Sequence, residues 1–234
     1  MSVKVINRPH FLQLVPVLMG VAVFLFGVVW LITHPDIHPA MLFDDWGFLI
    51  DKSLNPPPYV SAFSDFGFVL WIAGGAFCLL AVFALIAIQQ QFTMTAGLLT
   101  SLAIIGFYLG LDDMMLFHEW LIPYYLHINE FMVQVIYVTL FAIFLVTFRK
   151  QLLEKYLALF VMFVILFGVS QGVDFLRDHV LPHPAVYDPL SADPAIVVIE
   201  EGPKFLALVF YATYCLNYSV YSLSKIIRKP DTEA

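Results

Sequence analysis

Six apolar runs, each close to twenty residues long, decide what this chain can become: residues 11–32, 66–88, 97–118, 128–148, 156–176 and 203–223. A helix of about twenty residues crosses the hydrocarbon of a bilayer, and a spanning backbone has to satisfy its own hydrogen bonds there, so uninterrupted runs of this length select α-helices. The runs lack the residue-by-residue alternation of barrel strands. Hydrophobic residues make up 61% and charged residues 12% of the 234, where soluble domains carry about half and a quarter. The chain reads as one all-α integral membrane domain over residues 1–234, a polytopic helical bundle of about six transmembrane helices, without an internal repeat or low-complexity tract.

Lys4 and Arg8 precede the first run as they would in a signal peptide. The run is too long for one, however, and ends in Thr33-His34-Pro35 without small residues for cleavage, so it reads as a retained helix. Between the first two spans, the acidic and apolar stretch Met41 to Asp51, with Trp46 in it, predicts a short interfacial helix stopped by Asn55-Pro56-Pro57-Pro58. Cys78 and Cys215 both fall inside spans, which suggests neither a disulfide framework nor a thiolate metal cage.

An even number of spans puts both termini on one side. That side holds eight of the eleven Lys and Arg residues, among them Arg149, Lys150 and Lys155 in the connection after span four, and the positive-inside rule makes it cytoplasmic. The outer side holds fifteen of the eighteen acids and six of the seven histidines. Acids contribute little to orientation, so their excess invites a functional explanation, most simply a cation. The longest connections, after spans one and five, are outer as well, and long loops disproportionately carry binding residues.

The densest concentration of ionisable groups is in span three, where Asp112, Asp113, His118 and Glu119 precede Pro123, which is expected to end the helix. Each such group costs about 2.5–3.5 kcal/mol to insert and usually faces a protein interior or a watery cavity. Asp112 and Glu119 are seven residues apart, about 10 Å along the helix axis, so one ion cannot readily be held by both. Span five brings Asp174, Arg177, Asp178 and His179 to a similar depth, span four opens with His127 and Glu130, and Glu200, Glu201 and Lys204 precede or open span six. Asp193-Pro194 is an alternative start for that last helix, as N-cap and first-turn proline.

Carboxylates and histidines on facing helices are the means by which bundles hold di-iron and di-manganese sites, and a three-ligand His/carboxylate set holds catalytic zinc. The expected metal ligands are Asp112, Asp113, His118, Asp174, Asp178, His179, Glu200 and Glu201, with Glu119 as general base at the rim and His118 also in a catalytic role. Iron, manganese or zinc would suit this donor set. Local pairing competes with that reading, because Glu200 with Lys204 and Asp174 with Arg177 have helical spacing. The tyrosines Tyr211, Tyr214, Tyr218 and Tyr221 also recur at helical spacing, which predicts packing with paired hydroxyls.

No serine nucleophile elbow, phosphate-binding glycine loop or nucleotide fingerprint is present, and no nucleic-acid partner is expected. The leading expectation is a metal-dependent membrane hydrolase or oxidoreductase acting on a lipid or another apolar small molecule. A proton- or cation-coupled transporter using the same acids is the first alternative, and it needs a polar path towards the cytoplasmic side. A non-catalytic subunit that docks a partner or holds a pigment or quinone is the second.

Overall fold

The computed structural model describes residues 10–34, 62–115, 117, 121–179 and 194–227. The interfacial helix expected in the first outer connection lies outside the described residues. Among them there are seven helices and no strand: α1 (His10–Thr33), α2 (Ala62–Gln89), α3 (Met94–Met115), α4 (Ile122–Leu126), α5 (Glu130–Glu154), α6 (Leu157–His179) and α7 (Pro194–Ile227). The protein is a helical membrane bundle. Helices α1, α2, α3, α5 and α6 are each long and apolar enough to cross a bilayer.

The sixth predicted span, α7, has 34 residues, about 50 Å at 1.5 Å per residue. It is less apolar because it is enclosed: α7 packs against α1, α2 and α6, with a smaller contact to α3. Tyr211, Tyr214, Tyr218, Thr213, Ser219 and Ser222 are all buried in protein rather than exposed to lipid. A helix that faces neighbours on most sides has no need of a hydrocarbon coat. It starts at Pro194, the earlier of the two starts readable from the sequence, with Pro203 inside it.

Small residues set the closest approaches, as expected where lipid supplies no hydrophobic drive between helices. A Cβ on Gly106 of α3 would lie 2.8 Å from the Trp71 carbonyl oxygen and 3.2 Å from the Gly75 nitrogen of α2, and would run into the Tyr211 hydroxyl. Trp71 is fully buried against this seam, edge-on to Phe163 and Phe167 and tilted on Tyr211, with ring centroids 4.8–6.1 Å apart. The Tyr211 hydroxyl donates to the Leu102 carbonyl at 2.6 Å, tying α7 to α3.

Two boundaries differ from expectation. Arg149 and Lys150 are not in a connection, because α5 continues to Glu154 and leaves only Lys155 and Tyr156 before α6. Arg, Lys, Gln, Leu and Glu are all good helix formers, so the polar stretch stays helical. Pro123 sits in the first turn of the short α4, where its missing N–H leaves no bond unmade. Tyr124 and Tyr125 of α4 are exposed, as aromatic residues at a membrane interface are. At the start of α5, Asn129 accepts from the Phe131 N–H at 2.9 Å as the N-cap.

Candidate functional site

Most of the described acids collect at the end of the bundle formed by the C-termini of α3 and α6 and the N-termini of α2, α5 and α7, the acidic end. Adjacent residues on a helix are about 100° apart, so Asp112 and Asp113 face different neighbours. Asp112, 4% exposed, turns to α5, where the Tyr137 hydroxyl donates to its Oδ1 at 3.2 Å. Tyr108, one turn earlier on α3, lies 2.8 Å hydroxyl to hydroxyl from Tyr137. A short chain of oxygens thus runs along the α3–α5 seam to the buried carboxylate.

Asp113 turns to α7. Its Oδ1 is 2.5 Å from the Lys204 ammonium, which is also 3.6 Å from Glu201 Oε2. Lys204 therefore bridges α3 and α7, a pairing from far along the chain that the local Glu200–Lys204 spacing did not suggest. A cavity of about 10 Å³ adjoins it, bounded by Ser64, Asp113, Glu201, Lys204 and Phe205, which is room for about one water molecule.

Asp174 on α6 is 8% exposed and Glu200 on α7 5%, so together with Asp112 three helices each bury a carboxylate at this end. Glu130 opens α5 and accepts from Gln134 Nε2 at 3.3 Å. Among the described residues, no group of three or more His, Cys, Asp or Glu is arranged to hold a metal ion. The expected ligands Asp112, Asp113, Asp174, Glu200 and Glu201 share an end of the bundle without forming one shell. His118 and Glu119 lie outside the described residues, and Asp178 and His179 close α6 with side chains outside them too.

Tyr108 and Tyr137 are the participants that sequence reasoning missed, and Lys204, read there as a local partner of Glu200, also reaches Asp113 on another helix. The signal was there for Tyr137: Glu130, Gln134 and Tyr137 recur at intervals of four and three, a polar stripe on one face of α5.

The opposite end of the bundle is basic. Glu154 Oε1 accepts from the Tyr221 hydroxyl at 2.9 Å and from Lys225 Nζ at 2.6 Å, tying α5 to α7. The Lys155 ammonium stands 6.0 Å from the ring centres of Tyr156 and Tyr221, within cation–π range. Burial raises the Tyr156 phenol above its ordinary pKa.

A family described as a domain of unknown function (DUF8692) matches residues 11–218. The chain belongs to the DUF8692 family. No curated protein and no solved structure matches it. The DUF8692 match takes in every acidic-end residue described above and stops short of Tyr221 and Lys225 at the basic end.

Within this DUF8692 chain, Tyr137→Phe removes one donor to a carboxylate that is 4% exposed. Losing one hydrogen bond to a charged group costs about 1.5–3 kcal/mol. The variant is expected to unfold at lower denaturant concentration in detergent by that amount, whereas Tyr108→Phe, which leaves the Tyr137–Asp112 bond in place, should cost less.

Proposed function

We propose that this protein is a membrane proton transporter whose acidic end takes up and releases protons, with both termini cytoplasmic and the acidic end outside. The observation that carries this reading is the layout of α7. Glu200, Glu201 and Lys204 stand at one end of it, Lys225 with its partner Glu154 at the other, and buried hydroxyl and thiol groups lie between. Tyr211, Cys215, Tyr218 and Ser222 follow one another at spacings of three or four residues, and all are buried in the bundle. Cys78 of α2 joins them, 4.0 Å from Ser219 Oγ. The Tyr214 hydroxyl is buried with no hydrogen-bond partner among the described residues, a polar group on the same path that a water molecule would complete.

Ionisable groups inside membrane spans are most often found on ion or proton pathways. The transporter reading needed a polar route away from the acidic end, and α7 supplies residues for one. The tight packing around Tyr211 and Tyr218, 0% and 1% exposed, favours a proton over anything larger.

Purified protein in liposomes carrying an internal pH indicator tests the reading. Under an imposed potassium diffusion potential, the wild type should acidify the lumen well above protein-free liposomes, and Glu200→Gln should slow this about a hundredfold or more, the scale of losing a group in direct proton exchange. Acidification no faster than in empty liposomes sinks the proposal. So does about one tightly bound iron, manganese or zinc ion per chain in chelator-free protein that is lost in Asp113→Ala, which would restore the metal-dependent enzyme on a lipid substrate.

A further inference from the structure

At the basic end, between the start of α3 and the end of α5, a crevice of about 540 Å³ is bounded by Met94, Val146, Thr147, Arg149, Lys150 and Gln151. We infer that it is a binding site for an anionic phospholipid, with the phosphate between Arg149 and Lys150 and an acyl chain against Met94 and Val146.

Two observations converge on that occupant. First, the two cations are exposed, and among the described residues no acid pairs with them, whereas the neighbouring Lys225 is held by Glu154 and Lys155 stands over two tyrosine rings. Their charge is available to a ligand. Second, the apolar part of the wall is exposed, with Val146 69% and Met94 54% accessible, and α5 packs only lightly on α3. Cationic and apolar surfaces thus adjoin one another in one groove, as a phosphate and the acyl chain attached to it require. Basic pockets between transmembrane helices bind anionic headgroups in this way.

The test uses the full chain purified in detergent and incubated with equimolar phosphatidylglycerol and phosphatidylcholine, with retained lipid read by native mass spectrometry. Phosphatidylglycerol should be retained over phosphatidylcholine by at least about tenfold, a preference two juxtamembrane cations can supply. R149Q/K150Q, at two exposed positions, should abolish the preference. V146W should lower retention while leaving both charges in place, and K155Q should leave it unchanged. Retention of phosphatidylglycerol undiminished in R149Q/K150Q would overturn the site. So would an equal loss in K155Q, which would mean diffuse attraction to a basic surface. Inorganic phosphate that displaces the lipid at millimolar concentration would assign the crevice to a free anion instead.

Discussion

Gly106→Val should leave almost no folded protein at a temperature where the wild type is intact. The added Cβ would meet the Trp71 carbonyl oxygen at 2.8 Å and the Gly75 nitrogen at 3.2 Å, and both are backbone atoms that cannot swing aside. The Tyr211 hydroxyl, its other neighbour, is committed to the Leu102 carbonyl. Relief therefore requires α3 to move off α2, and that opens the packing around Trp71. Overpacking costs about 1–3 kcal/mol where side chains can adjust and more where they cannot, so valine is expected to cost about 3 kcal/mol or more and alanine somewhat less. Gly172→Ala is the control: nothing lies within 4 Å of its would-be Cβ, and alanine in a helix interior is favoured over glycine by about 1 kcal/mol. Thermal unfolding in detergent measures all three. A Gly106→Val protein as stable as the wild type would mean that α2 and α3 do not cross at this residue.

The second large effect is expected at Lys204. Lys204→Met leaves Asp113 and Glu201 without the ammonium between them. Removing one member of a fully buried ion pair costs about 3–5 kcal/mol. Here the side chains of Lys204 and Asp113 keep 24% and 14% of their exposure, so solvent recovers part of the cost and about 1–3 kcal/mol is expected. Asp113→Asn should cost a comparable amount, and the Lys204→Met/Asp113→Asn double variant much less than the sum of the two. A coupling of about 1 kcal/mol or more in this cycle is the signature of residues in contact. Additive single effects would show that the bridge between α3 and α7 does not form.

Hydropathy placed the helices well because it responds to length and to the demand of lipid. The bounds of α1 and α2 follow from apolar runs, and Asp193-Pro194 marked the start of α7. It was silent about faces. In spans that are apolar on every side, no stripe tells which surface meets a neighbour, and only polar or small residues mark one. Gly106-x-x-x-Gly110 did carry that information, since both glycines fall on the seam with α2. Asp112 and Asp113, adjacent in sequence, could not be assigned to different helices, because their partners Tyr137 and Lys204 come from distant parts of the chain. Lys204 illustrates the limit: local spacing offered Glu200, and the fold brought Asp113.

The span α5 shares little surface with the rest: only Val133, Phe144, Phe148 and Leu152 are buried along its 25 residues. The Tyr137–Asp112 bond fastens it near the acidic end, Glu154 fastens it near the basic end, and Phe144 leans on Phe160 between them. Elements with few buried contacts open at the lowest free energy. Pulled from its C-terminal end in a force experiment, the chain should surrender α7 and α6 as one resisting unit, and α5 should then come away at a smaller force than that unit.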